Sequence, residues 1–164
     1  MRLQGLPPVL DEHTRLLVLG SFPGARSLAL QQYYGHPQNQ FWPILSALWQ
    51  TDLVALDYAA RLQALLVRGL GVWDVYASCE REGSLDTAIR QPVVNDLAGL
   101  ARRCAALKVV AHNGGESFRH ARHTRTLGLP VLRLPSTSPA NASQPPGFKL
   151  AAWREAFALA GLLP

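Results

Sequence analysis

Hydrophobic positions along the chain fall into short continuous runs that alternate with longer stretches of helical spacing. Residues 15–19 (Arg-Leu-Leu-Val-Leu) are almost unbroken in apolar character and end at Gly20, the pattern of a strand buried on both faces and feeding a loop. Residues 71–75, 108–112 and 130–134 repeat the pattern, the run 108–112 breaking at Asn113-Gly114-Gly115. Between them, positions 41, 42, 44, 45, 48 and 49 are apolar at close to helical spacing, with Pro43 tolerable in a first turn. Residues 56–67 follow suit with Leu62, Leu65 and Leu66, and 116–124 and 148–160 can also be helical. Residues 95–107 are expected as one amphipathic helix with Asn95 as its N-cap. Four strands separated by helices predict a three-layer α/β/α fold with a central four-stranded parallel sheet, in one domain over residues 1–164. In such sheets ligands bind at the carboxyl ends of the strands. Residues 20–24, 113–115 and 135–141 each follow a strand, so all three are expected on one rim.

Length and composition narrow the class. At 164 residues with 48% apolar and 16% charged side chains, the chain is suited to folding on a core rather than to disorder. Its net charge of +5, from 14 Arg and only Lys108 and Lys149 against 11 acidic residues, suits a polyanionic partner. Residues 27–51 contain no Asp, Glu, Lys or Arg, yet are too rich in Gln, Asn, His and Pro to span a membrane. Residues 134–148 form a second uncharged run. Cys79 and Cys104 sit in no metal-binding spacing, and no signal peptide precedes Asp11 and Glu12. These features lead us to expect a cytoplasmic, monomeric protein without metal, iron–sulfur cluster or other cofactor.

Several residues then stand out. Gly20-Ser21-Phe22-Pro23-Gly24 could turn backbone N–H groups toward a ligand oxygen, although it also serves as a tight strand-to-helix turn. It is neither a P-loop, since no Gly-Lys-Ser/Thr follows, nor a nucleophile elbow, whose central Ser is Phe22 here. Residues 33–42 (Tyr-Tyr-Gly-His-Pro-Gln-Asn-Gln-Phe-Trp) concentrate rings and neutral amides, suited to stacking on a planar uncharged heterocycle. Phe41 and Trp42 go to the core, which leaves Tyr34, His36 and Asn39. Asn113 can present donor and acceptor to a base edge, or simply turn the chain. Ser136, Thr137, Ser138, Pro139 and Asn141 form a rigid hydroxyl-rich loop that allows close approach to a phosphate chain. His36 is expected to fix loop geometry and His112 to be a structural histidine.

In order and in position at strand ends, these segments resemble the uracil-DNA glycosylase superfamily, and within it the hypoxanthine-DNA glycosylase branch. The similar stretches are residues 20–28, 33–42, 73–86, 112–114 and 134–141. The resemblance implies an enzyme that flips a deaminated base from DNA and hydrolyses its N-glycosidic bond through an oxocarbenium-like transition state, with no nucleophilic Lys and no metal. It assigns Tyr34 to stacking on the base and Asn113 to reading its edge, with Gly20, Ser21 and Phe22 also at the base. Residues 135–141 would press on the minor groove and backbone. Many relatives carry a water-activating Asp or Asn where Phe22 stands, and a His where Leu134 stands. The branch shares both departures and implies Asn39 as the catalytic residue. Ser78, Cys79 and Asp86 lie in a similar segment without an assignable role. Arg26 and Lys149, near the ends of the uncharged runs, are candidates for phosphate contacts.

Hypoxanthine is the base this resemblance favours. The alternatives are a uracil-preferring mismatch glycosylase, a non-catalytic damaged-DNA binder, and a small-molecule hydrolase on the same scaffold.

Overall fold

The computed structural model describes residues 1–141 and 144–164; Ala142 and Ser143, within the second uncharged run, lie outside the described residues. The elements in chain order are β1 (Arg2–Gln4), β2 (Leu16–Gly20), α1 (Ala25–Leu30), α2 (Phe41–Trp49), α3 (Tyr58–Arg68), β3 (Leu70–Asp74), β4 (Tyr76–Glu80), β5 (Arg90–Val94), α4 (Leu100–Arg103), β6 (Val109–Asn113), α5 (Gly115–Phe118), α6 (Ala121–Thr124), β7 (Val131–Leu134) and α7 (Pro146–Ala160). Strands β3, β2, β6 and β7 lie side by side in that order, all parallel, as the four apolar runs predict.

The unbroken apolar run of β2 follows from its central place. Leu16 and Val18 face a cluster with Val72, Val109, Ala111 and the rings of Phe41, Trp42, Trp153 and Phe157. Leu17 and Leu19 face the opposite cluster, with Val110, Trp73, Leu97, Leu100 and Cys104. Because successive strand side chains point to opposite faces, a strand covered on both sides must be apolar throughout. Each such Leu, fully buried, contributes roughly 1.5–3 kcal/mol.

The structure departs from the sequence pattern in four places. Strands β1, β4 and β5 form a second, antiparallel sheet in the order β1-β4-β5, which periodicity did not reveal. Its register shifts within β4–β5 and the exposed Arg-Gln-Pro-Val-Val of β5 destroy any clean alternation. The helix expected over 95–107 shrinks to α4, because the Asp96 carboxylate accepts the Gly99 N–H at 3.1 Å and holds a turn there. Asn95 is not its N-cap; its side-chain amide donates to the Asp74 carbonyl at 2.9 Å, tying the segment to the end of β3. The helix expected over 116–124 is split into α5 and α6, and α1 was not anticipated.

Candidate functional site

In a parallel sheet all carboxyl ends open on one edge, so register decides which loop residues become neighbours. Gly20 pairs with Asp74, Leu19 with His112, and Asn113 with Leu134. The loops leaving these ends enclose a cleft of about 810 Å³, a size typical of small-ligand sites. Gly20, Ser21, Phe22, Tyr34, Asn39 and Asn113 all line it, as do residues 136–141, with exposed Arg26 and Arg133 on its walls.

Tyr34 is set by backbone and ring together. Its φ of 54° places it in the left-handed region, a conformation that costs a non-glycine residue about 1 kcal/mol or more and that concentrates at functional sites. The ring stacks on Phe41, centroids 4.0 Å apart and 18° from parallel, so α2 supports one face of it. Burial, then the nearby Asp74, push its phenol above the ordinary tyrosine range, so it stays a neutral hydroxyl.

Asn113 is held from two sides. Its Nδ2 donates to Thr137 Oγ1 at 3.0 Å and to the Tyr34 hydroxyl at 3.4 Å, while its Oδ1 accepts the Thr137 N–H at 3.1 Å. The amide therefore clamps the loop after β7 to the end of β6, with one Oδ1 lone pair left over. Gly114 (φ +95°) allows that approach, since a Cβ there would stand 3.1 Å from Ser136 Cβ. The two uncharged runs meet where the Gln40 N–H donates to the Thr137 carbonyl at 3.0 Å. Asn39 Oδ1 accepts the Phe41 N–H at 2.9 Å, which fixes its amide at the start of α2. Its neighbour His36 is exposed, and its Nδ1 accepts the Gln38 N–H at 3.0 Å, a loop-shaping contact.

Sequence reasoning passed over Asp74, the last residue of β3. It is buried, and its carboxyl is pushed up to about 7 by desolvation first and by Asp86 second, with Arg81 opposing. Among the described residues its Oδ2 has no hydrogen-bond partner. Asp86, which had no role in the sequence, accepts the Ser21 hydroxyl at 2.7 Å, and Ser84 accepts the Ala25 N–H at 2.9 Å. Together they brace the first loop. The one sequence signal for Asp74 was a carboxylate inside an otherwise apolar run, at a position read as mid-strand.

Two candidates sit differently from expectation, and a third, His112, sits as expected. Phe22 reaches the cleft wall, but its ring is buried in the second core cluster under the Arg81 guanidinium, 5.3 Å from its centroid. Lys149 is corrected outright: it is only 1% exposed and its ammonium donates to the Asn141 carbonyl at 2.7 Å. An ammonium enclosed in this way steadies the loop instead of reaching a phosphate, and burial lowers its pKa from the ordinary lysine value. His112 is structural. The Ser117 hydroxyl donates to the Leu19 carbonyl, so it can only accept from Nδ1, while Nε2 meets Thr124 Oγ1 at 2.8 Å. Burial holds this imidazole near a pKa of about 4, hence neutral.

Ser78 Oγ accepts from Arg2, and Cys79 and Cys104 are buried free thiols. Among the described residues no group of three His, Cys, Asp or Glu is placed to hold a metal ion, and no helix is long and apolar enough to cross a membrane.

Comparison with known proteins adds three findings. The sequence model of the uracil DNA glycosylase superfamily matches residues 7–157. A curated hypoxanthine DNA glycosylase from Methanosarcina barkeri is 40% identical over 157 residues, 96% of this chain and 99% of the relative; one from Methanosarcina acetivorans is 37% identical over 138 residues, 84% and 87% respectively. A solution NMR structure of a Methanosarcina acetivorans protein superposes with a TM-score of 0.87 at 34% identity, covering 98% of this chain and 99% of that one.

Proposed function

Because the chain belongs to the uracil DNA glycosylase superfamily, we propose that it excises hypoxanthine from deoxyinosine in DNA by base flipping and hydrolysis of the N-glycosidic bond. The observation that carries this is the joining of Tyr34, Asn39 and Asn113 in one cleft at the strand ends. The flipped base stacks on Tyr34, which is braced from behind by Phe41. Asn113 orients the Tyr34 hydroxyl and Thr137, and keeps one acceptor lone pair for the base. Residues 136–141 press on the strand beside the gap, and Arg26 and Arg133 face its phosphates.

Bond breaking leaves positive charge at C1′ and negative charge on the departing purine. The role of the protein is therefore to place a water and stabilise an anion, which electrostatics and positioning supply without a covalent intermediate. Asn39 is suited to the first task. With Oδ1 anchored by the Phe41 N–H, its second lone pair and its Nδ2 hydrogens can hold a water in a fixed direction. An amide is a poor base, so the reaction leans on a leaving group that delocalises charge, as hypoxanthine does. Backbone N–H groups of Ser21, Phe22 and Gly24, which line the cleft, are donors suited to it. A single monomeric domain acting in the cytoplasm, without cofactor, completes the proposal.

The test is incubation with oligonucleotides carrying hypoxanthine, xanthine or uracil, followed by alkali to cut abasic sites. Cleavage of the hypoxanthine strand under single-turnover conditions is expected. Binding without cleavage at excess protein would refute the enzymatic assignment.

A further inference from the structure

Asp74 is a buried carboxyl group lining the cleft that this mechanism leaves idle. It is 5% exposed, and its Oδ2 is buried with no hydrogen-bond partner among the described residues. A Cβ built on Gly20 would stand 2.5 Å from Asp74 Oδ1 and 3.5 Å from the Tyr34 hydroxyl. The carboxyl group thus occupies the space above Gly20 and beside Tyr34, and the absence of a side chain at position 20 is what gives it room. Buried polar oxygens are rarely unpaired, and a buried carboxylate least of all. A ligand that brings a hydrogen-bond donor to this point would resolve the imbalance.

Resting on the glycosylase assignment above, we propose that Asp74 is a specificity-determining residue: its carboxylate accepts the N1–H of the flipped hypoxanthine and thereby rejects adenine, whose N1 bears a lone pair and no hydrogen. A flipped nucleotide leaves its sugar at the mouth with the backbone, so N9 lies nearest the opening and the N1–C6 edge reaches deepest. Asp74 lines the cleft and is among its buried polar residues. Asn113 is the other acceptor nearby, but both of its Nδ2 hydrogens and one Oδ1 lone pair are engaged by Thr137 and Tyr34. The one Oδ1 lone pair that Asn113 has left is a neutral acceptor, whereas an ionised carboxylate accepts more strongly and has no hydrogen to offer adenine N1. The groups facing Asp74 are Asp86, Arg81, Tyr33 and Tyr34, and of these only Arg81 carries positive charge. A base N–H is therefore a welcome partner for the ionised form.

The experiment measures, at about pH 8.5, where the Asp74 carboxyl is ionised, binding and single-turnover cleavage of duplexes carrying deoxyinosine, 1-methyldeoxyinosine or deoxyadenosine by wild type, Asp74→Ala, Asp74→Asn and Asn113→Ala. Wild type should bind the 1-methyl and adenine duplexes roughly ten- to hundredfold more weakly than deoxyinosine, the range for losing a hydrogen bond to a charged group. Asp74→Ala should erase most of that preference. Asp74→Asn keeps the size of the side chain but can turn an NH₂ toward adenine N1, so it should narrow the gap for adenine in particular. Equal preferences in wild type and both Asp74 variants would overturn the proposal, as would a preference that vanishes only in Asn113→Ala. The two proposals separate cleanly. A wild type with an Asp74-dependent preference that releases no base removes the glycosylase assignment and keeps the reader, whereas cleavage without that preference removes the reader alone.

Discussion

Replacing Asp74 by Asn should change how stability depends on pH. The carboxyl group has an ordinary value of 3.8 and is pushed up to about 7 in the folded protein by desolvation and by Asp86. Below about pH 4 it is protonated in both folded and unfolded chains and imposes no penalty. Between about pH 4 and 7 the unfolded chain releases this proton while the folded one retains it, so stability falls as pH rises; above 7 both are ionised and the loss is complete. A displacement of this size corresponds to about 4 kcal/mol, or roughly 8–16 °C in Tm for a domain of this length. The amide of the variant does not titrate. Whatever fixed cost of about 1–3 kcal/mol it carries for lacking partners, the difference between the two proteins should grow in favour of the variant from pH 4 to 7 and then level off. Urea unfolding of both at half-unit steps from pH 4 to 8.5 measures this directly. A difference that stays flat across the range, or moves the other way, would refute the claim that this carboxyl is held near neutrality by burial.

Three further outcomes follow from the same geometry. Asn39→Ala should abolish most base excision in single-turnover assays and cost about 1 kcal/mol in urea unfolding, because the Phe41 N–H loses its cap; DNA binding should survive. Gly20→Ala drives a methyl to within 2.5 Å of Asp74 Oδ1, so it should displace that carboxyl and lower cleavage, whereas Gly83→Ala, with nothing within 4 Å of the added Cβ, should leave cleavage unchanged despite its φ of +73°. Arg26→Ala should reduce the slope of log K against log salt by about 1, whereas Lys149→Ala should leave that slope alone and destabilise the loop after β7, read as a lower unfolding midpoint.

Much of the fold was legible because its physics is local. The unbroken apolar runs ending at Gly20 and Asn113 are what a strand buried on both faces requires, and the spacing of Phe41, Leu45 and Leu48 is what a helix packed on that sheet requires. The antiparallel sheet was hidden because β1 pairs Arg2 with Glu80 across most of the first half of the chain, and no local periodicity encodes such a pairing. Asn95 and Asp96 show the opposite failure. Asp96 holds a local turn by accepting the Gly99 N–H, while the partner that Asn95 takes depends on where β3 ends.

The site divides along the same line. Sequence alone determined that three loops leave the same edge of a parallel sheet, that two of the intervening segments are uncharged, and that rings and neutral amides are concentrated there, since composition and strand polarity are properties of the chain itself. Only the tertiary structure decided which polar groups are spent and which are free. Lys149 looked like a phosphate contact and is enclosed against Asn141; Asn113 looked like a free reader and clamps Thr137. Asp74 looked like one carboxylate in an apolar strand, yet it lines the cleft with an Oδ2 that has no hydrogen-bond partner among the described residues. Charge and hydrogen-bonding capacity are written in the sequence, but the partners and the dielectric that determine their effect are set by strand register and by what packs above each strand end.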